Sequence, residues 1–151
     1  MKIIDGVKVT PLTQIFDERG KVMHMLRSDS CEFDSFGEIY FSCTYPGVVK
    51  AWHLHREMTL NYAVVFGQLK IVLYDGRHQS KTFGLIQELF LSPENYYLVT
   101  VPPQVWNGFK CIGNQPSIVA NCATLPHNPD EIVRKDVSDP EIPYNWDLVH
   151  K

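Results

Sequence analysis

The chain has 151 residues, of which 44% are hydrophobic and 21% are charged, and its formal net charge is −3 at pH 7. This length predicts a single domain, residues 1–151, with enough apolar side chains to build a core. The nearly balanced charge argues against a nucleic-acid-binding protein, and no apolar run is long enough to cross a membrane.

The cysteines and the N-terminal residues indicate the cellular compartment of the protein. The four cysteines include no CxxC pair of the kind that marks metal or redox sites. The first residues, MKIIDGVKV, lack the long apolar segment of a signal peptide. We therefore expect reduced, mostly buried thiols in a cytoplasmic protein.

Short apolar stretches separated by turn residues follow one another along most of the chain. They lie at residues 7–12, 21–26, 38–44, 61–66, 69–74, 82–91, 96–101, 108–112 and 117–123. Gly67 and Gln68 join two of these stretches as a tight hairpin, because glycine readily adopts turn conformations. Short strands at regular spacing predict an all-β barrel or sandwich.

The C-terminal part has a different character. Residues 128–133 can form a short helix, since Asn128 can cap its start and Glu131 favours the positive end of the helix dipole. His127 precedes this segment and could cover the mouth of a barrel. We expect the proline-rich tail, residues 139–146, to lie across the barrel, because its apolar side chains would be costly to expose.

Two histidines, His53 and His55, lie one residue apart in the stretch GVVKAWHLH. Side chains alternate between the two faces of a strand, so both imidazoles should point the same way and Leu54 the other way. A pair of histidines on one face of a sheet is a natural place for a pocket.

The spacing around His53 and His55 resembles the first motif of the cupin superfamily, in which a glutamate ligand stands at the position of Leu60. The histidine of the second cupin motif corresponds to Asn107. Leucine cannot bind a metal, and an amide is a weak ligand for a transition metal. The resemblance implies a cupin-type antiparallel β-barrel (jelly roll) with a short C-terminal helical or irregular extension, no bound metal, and histidines free for acid–base chemistry.

Three separated segments resemble the dTDP-4-dehydrorhamnose 3,5-epimerases, a metal-free branch of the cupins. The segment FDERG contains Arg19 and resembles the family's motif for binding the nucleotide sugar. The segment VKAWH is similar to the motif that carries the catalytic base, and SDP resembles the ending whose aspartate pairs with that base. The resemblance implies that His53 is the base, that Asp139 is its partner, and that Arg19 and Lys50 bind the pyrophosphate.

This chemistry needs no cofactor. The ketone of a 4-keto sugar acidifies the protons on the neighbouring carbons, and histidine is a base of suitable strength to remove one. A carboxylate on the other ring nitrogen would fix the tautomer and stabilise the imidazolium. The expected partner is a nucleotide-diphosphate sugar, and family resemblance implies a homodimer whose exchanged N-terminal strands bring Arg19 to the partner's pocket.

The chain also departs from this family. The family's tyrosine acid would fall near Ala120, and its active-site lysine near Leu60. Tyr40, Tyr62 or Tyr144 could supply the missing acid, and the sequence does not choose among them.

Trp106 and Asn107 are two further candidates for substrate binding. Trp106 either belongs to the core or offers an aromatic face to a nucleobase. Asn107 takes the place of a family histidine in the active site.

A second family competes with the first. The segment KAWHLH is similar to the Arg-Gly-Phe-His-x-His of the dTDP-sugar 3,4-ketoisomerases, in which both histidines act in catalysis. Tyr40 also falls where that family has a tyrosine. His55 is therefore a catalytic candidate beside His53. A non-catalytic cupin that binds sugar nucleotides is the alternative of a different class.

Overall fold

In the computed structural model, which describes residues 2–150, short strands make up most of the chain. The strands are β1 (Lys8–Pro11), β2 (Gln14–Asp17), β3 (Gly20–Met23), β4 (Glu38–Thr44), β5 (Val49–His55), β6 (Leu60–Phe66), β7 (Leu69–Tyr74), β8 (Ile86–Leu91), β9 (Tyr97–Val101), β10 (Trp106–Cys111), β11 (Ser117–Ala123) and β12 (Ile132–Arg134). A 3₁₀ turn, Pro129–Glu131, precedes β12. Across residues 2–150, no helix has the length and apolar character needed to span a membrane.

The strands form two five-stranded antiparallel sheets. Their orders are β1-β9-β6-β11-β4 and β12-β5-β10-β7-β8, and β2 and β3 form a separate hairpin. One buried cluster joins both sheets, with Leu60 and Val64 from the first and Ile71 and Phe109 from the second. The predicted all-β, jelly-roll barrel is therefore confirmed.

Two glycines are required by the local backbone geometry of the barrel. Gly67 joins β6 to β7 with a φ of 71°, which confirms the predicted tight turn. Gly108 lies where the register between β10 and β5 shifts. A Cβ at this position would lie 2.6 Å from the Cβ of Ala51, so only glycine lets these two strands approach so closely.

The C-terminal tail packs against the face of β5 that is opposite to the histidines. Ile142 and Trp146 are buried there in a cluster with Trp52, Leu54 and Trp106. This confirms that the tail lies across the barrel. It also places Trp106 in a buried cluster, which is one of the two alternatives expected for it, and a role for Trp106 in substrate binding stays a prediction.

Replacing Trp146 with alanine should lower the free energy of unfolding by about 3–5 kcal/mol, which is typical for truncating a buried aromatic residue. The ring is 6% exposed, and its centroid lies 5.1 Å from that of Trp52. Urea unfolding monitored by circular dichroism measures the loss. Val149→Ala is the control, since Val149 is 64% exposed and should change stability by less than about 0.5 kcal/mol. Equal midpoints for the two variants would contradict the packing of the tail.

Strand β8 is shorter than the predicted strand 82–91, because the buried carboxylate of Asp75 organises the preceding loop. It accepts hydrogen bonds from Arg77 Nε at 2.8 Å, Ser80 Oγ at 2.6 Å and Thr82 Oγ1 at 2.6 Å. Burial acts to raise the pKa of Asp75, but these hydrogen bonds lower the pKa well below its usual range. The loop therefore runs to residue 85 before β8 begins.

The predicted helix 128–133 is reduced to the 3₁₀ turn. Asn128 caps this turn as predicted, since its side chain accepts from Asp130 N. The chain then becomes β12, in which Ile132 pairs with His55 of β5. Pairing with the sheet edge outweighs the local helix signals.

The cysteines are free, but they are less buried than predicted. Cys111 is buried and Cys122 is partly buried, whereas Cys31 and Cys43 are exposed. Cys43 lies on β4, an edge strand of the first sheet. The prediction of mostly buried thiols is therefore wrong for half of them.

Candidate active site

A cavity of about 630 Å³ opens between the two sheets. Tyr40 of β4 and Tyr62 of β6 line it from the first sheet. His53 and His55 of β5 and Phe109 of β10 line it from the second. The fold therefore gathers titratable side chains from both sheets around one space.

The two histidines face this cavity together. Their ring centroids are 5.9 Å apart and the rings are nearly perpendicular, at 89°. Leu54 between them packs on the opposite face in the tail cluster. The predicted orientation of the pair is confirmed.

His53 is uncharged at neutral pH. Burial, then the charges of His55 and Arg134, lower its pKa to about 4. Arg134 is the direct pairing partner of His53 between β12 and β5. A general base must be unprotonated before it can accept a proton, and His53 meets this condition.

A buried carboxylate, Glu131, contacts the second histidine. Its Oε1 meets Nδ1 of His55. Its Oε2 accepts from the backbone N–H groups of Glu57 at 3.1 Å and Met58 at 3.2 Å. Burial acts to raise the pKa of Glu131, but His55 and these N–H groups lower it overall. The carboxylate is therefore charged at neutral pH.

The sequence predicts Glu131 only as a residue that favours a helix dipole. No local pattern marks its contact with His55, because the two residues are 76 positions apart. The pairing of β12 with β5 brings them together, and β12 itself is not predicted.

Asp139 and His53 are not brought together. Oδ1 of Asp139 accepts from the backbone N–H of Glu141 at 2.9 Å, in the turn that starts the tail. Within residues 2–150, no side-chain hydrogen bond reaches the His53 ring. The carboxylate that meets a histidine in this site is Glu131, and the histidine is His55.

Of the three tyrosines considered as acids, Tyr40 and Tyr62 line the cavity. Tyr144 packs in the tail and donates to Glu88 instead. The hydroxyl of Tyr62 donates its proton in a hydrogen bond to Oδ1 of Asn107 at 3.0 Å, so this proton is not directed at a ligand in the cavity.

Tyr40 keeps its proton available. Its oxygen accepts from Nδ2 of Asn121 at 2.9 Å, which leaves its own O–H to donate to another group. Burial raises the pKa of Tyr40 above its ordinary value, so the hydroxyl stays protonated at neutral pH. Tyr40 is the better placed of the candidate acids.

The two residues at the positions of the lost cupin ligands, Leu60 and Asn107, make their contacts within the protein interior. Leu60 is buried in the core. Asn107 is fully buried, accepts from Tyr62 and donates to the carbonyl oxygen of His53 at 3.1 Å. Asn107 therefore holds Tyr62 in place and does not line the cavity.

No group of three or more His, Cys, Asp or Glu side chains in residues 2–150 is arranged to hold a metal. Metal-free activity stays a prediction.

Basic side chains gather at the cavity. Lys50, Arg134, Lys135 and His127 all line it, whereas Glu38 is an acidic neighbour there. Arginine and lysine side chains are the usual partners of phosphate oxygens. Lys50 stands where it is predicted, and His127 covers part of the cavity as expected. Arg134 and Lys135 are not predicted, because β12 brings them.

Arg19 lies away from this cavity. It sits at the tip of the β2–β3 hairpin, with its side chain 86% exposed and paired with Asp17 at 2.6 Å. The same hairpin exposes Ile15, Phe16 and Val22. Arg19 is not among the side chains of its own chain that line the cavity.

Comparison with known proteins identifies the family. The family model described as dTDP-4-dehydrorhamnose 3,5-epimerase matches residues 2–151. A spore coat polysaccharide biosynthesis protein from Bacillus subtilis is 34% identical over 146 residues, which is 95% of this chain and 97% of the relative. A probable low-salt glycan biosynthesis epimerase from Haloferax volcanii is 36% identical over 147 residues, 96% and 91% of the two chains.

Solved structures share the fold. A dTDP sugar isomerase from Desulfovibrio desulfuricans superposes with a TM-score of 0.92 at 46% identity, over 95% of this chain and 92% of that one. A 3,5-epimerase from Legionella pneumophila, in complex with dTDP-4-keto-L-rhamnose, has a TM-score of 0.86 at 24% identity, over 99% and 83% of the two chains. The chain therefore belongs to the dTDP-4-dehydrorhamnose 3,5-epimerase family, cupin-fold isomerases of nucleotide sugars.

Proposed function

We infer that the protein is an epimerase of a nucleotide sugar of the dTDP-4-keto-6-deoxyhexose type. It inverts a carbon next to the ketone by removing a proton and returning one to the other face. The ligand named for the Legionella structure belongs to this class. The names of the two curated relatives favour a role in polysaccharide or glycan biosynthesis.

The observation that carries this proposal is the position of base and acid on opposite sheets. Neutral His53 reaches the cavity from β5, and protonated Tyr40 reaches it from β4. Inversion needs a base on one face of the sugar ring and an acid on the other. His53 removes the proton, the ketone carries the resulting enolate, and Tyr40 delivers a proton from the far side.

The cations account for the nucleotide part of the substrate. Lys50, Arg134 and Lys135 line the cavity and can pair with the two phosphates, for which Lys135 would exchange its present partner Glu141. The ketone of the substrate supplies the acidity of the neighbouring C–H bond, so the reaction needs no cofactor.

The test is incubation with dTDP-4-keto-6-deoxyglucose in deuterated water, followed by NMR. An epimerase incorporates deuterium at a carbon beside the ketone and yields the inverted sugar. Binding of the dTDP-sugar without any exchange would favour the non-catalytic sugar-nucleotide-binding protein instead.

A second candidate function is 3,4-ketoisomerisation, and the histidine pair favours it. His53 and His55 face the cavity from the same side, with ring centroids 5.9 Å apart. Two groups on one face could move a proton from one carbon to its neighbour, so that the carbonyl migrates.

Replacing His55 with alanine separates the two reactions. In a ketoisomerase, the variant should lose carbonyl migration by about 10²–10⁴-fold, because a positioned acid–base group is gone. In an epimerase that uses Tyr40, the variant should mainly raise KM. NMR of the product identifies the carbonyl carbon, and initial rates over a range of substrate concentrations give kcat and KM.

We also propose that the protein is a homodimer. Ile15, Phe16 and Val22 on the hairpin are 56%, 68% and 60% exposed, and Ile39 and Phe41 on the edge strand β4 are 52% and 64% exposed. Exposed large apolar side chains of this kind are typical of an interface.

Sedimentation velocity at micromolar concentration should give the mass of a dimer. Phe16→Ser should shift the protein towards monomer, whereas Phe90→Ser, at a residue that is 53% exposed on β8, should not. A monomer for the unmodified protein would refute the proposal, and with it a role for Arg19 in the partner's pocket.

A further inference from the structure

Glu131 and His55 form a buried acid–base pair at the wall of the cavity. Their side chains are 9% and 7% exposed. A buried carboxylate is costly unless hydrogen bonds satisfy both of its oxygens. Glu131 meets this condition, since one oxygen contacts His55 and the other accepts two backbone N–H groups.

The partners of Glu131 dictate the protonation of His55. An ionised carboxylate can only accept hydrogen bonds, so Nδ1 of His55 must carry the proton that it donates. A neutral imidazole has one N–H, and its other nitrogen is then a bare acceptor. Among residues 2–150, no other side chain hydrogen-bonds to the His55 ring.

We propose that Glu131 is a positioning residue of this active site, which holds His55 as the Nδ1–H tautomer and so presents an unprotonated Nε2 to the cavity. In this tautomer, His55 accepts from a sugar hydroxyl or takes up a proton, and Glu131 stabilises the imidazolium that results. The opposite tautomer would offer an N–H and could accept nothing. The catalytic part of this proposal rests on the proposed function, whereas the tautomer does not.

Glu131→Gln is a sharp test, because the structure predicts which way the new amide turns. The amide oxygen still accepts hydrogen bonds from the backbone N–H groups of Glu57 and Met58. The NH₂ group therefore faces Nδ1 of His55. A donor at that place forces Nδ1 to accept, and His55 switches to the Nε2–H tautomer. We expect Glu131→Gln to repeat the kinetic effect of His55→Ala, which is a raised KM in an epimerase that uses Tyr40 and a fall in kcat of about 10²–10⁴-fold in a ketoisomerase.

The tautomer is read by ¹⁵N NMR of the histidine rings in the ligand-free protein, and the His55 signals are those that His55→Ala removes. Asp130→Asn is the matched control, since Asp130 is an exposed acid in the same turn. It should keep both the tautomer and kcat. Circular dichroism checks that each variant is folded.

The outcomes are distinguishable. An Nε2–H tautomer in the unmodified protein overturns the proposal without the need for any variant. Unchanged values of both kcat and KM after the switch in Glu131→Gln also overturn it. If no 4-keto sugar is turned over by the unmodified protein, the proposed function fails, and the NMR measurement alone decides whether Glu131 sets the tautomer of His55.

Discussion

Replacing His53 with alanine should reduce deuterium exchange beside the ketone by about 10²–10⁴-fold, the range that a positioned general base contributes. His53 is a neutral imidazole and pairs in register with Arg134, whose charge helps to keep it unprotonated. The fall should appear in kcat, because the variant removes the group that takes the proton while Lys50, Arg134 and Lys135 remain to bind the phosphates.

The pH profile gives this prediction a second measurement. The pKa of His53 is lowered to about 4, whereas an ordinary histidine has a pKa of about 6.5. The base works only when it is unprotonated, so kcat/KM should stay level as the pH falls from 7 and should drop only as the pH nears 4. An acid limb near pH 6.5 that persists in His55→Ala would show that a different, unperturbed histidine is the base.

His78→Ala is the control for His53→Ala. His78 is exposed, stacks on Phe83 and does not line the cavity. Its removal should leave exchange unchanged. If His53→Ala and His78→Ala both exchange as fast as the unmodified protein, the base is not His53.

The parts of the site that the sequence predicts are those that depend on local geometry. The shared face of His53 and His55 follows from the alternation of side chains along one strand. Leu54 falls on the opposite face for the same reason, and the apolar tail covers it. Each of these features needs only residues that are neighbours in the chain.

The parts that the sequence does not predict depend on distant strand pairing. β12 pairs with β5 and brings Arg134 to His53 and Glu131 to His55. The segment before β12 carries the local signals of a helix, so its role as a sheet edge is hidden. Asp139 is the opposite case, because its motif indicates a partner for His53 whereas its carboxylate accepts from the backbone of the turn before the tail. Its pairing with His53 stays a prediction.

Trp106 shows how one strand boundary changes an assignment. The sequence predicts a strand from residue 108, which leaves Trp106 and Asn107 in a loop where both can face a ligand. β10 in fact begins at Trp106. Neighbours in a strand point to opposite faces, so Asn107 turns towards Tyr62 and Trp106 turns towards the tail.

Replacing Tyr40 with phenylalanine should separate exchange from inversion. The variant lacks the acid on the first sheet but keeps His53 on the second, so the base can still remove a proton and return a solvent deuteron to the same face. Deuterium should therefore enter beside the ketone with retained configuration, while inversion falls by about 10²–10⁴-fold. Mass spectrometry measures the deuterium, and NMR coupling constants measure the configuration.

Tyr45→Phe is the matched control, because Tyr45 follows β4, is 70% exposed and does not line the cavity. It should change neither exchange nor inversion. Inversion by Tyr40→Phe at the rate of the unmodified protein would rule out Tyr40 as the acid and leave Tyr62 as the cavity-lining tyrosine to test. Loss of both exchange and inversion in Tyr40→Phe would instead mean that the hydroxyl stabilises the enolate, since proton removal itself would then depend on it. The ratio of the two rates in this one variant therefore distinguishes a proton donor on the far face of the sugar from a group that supports the base.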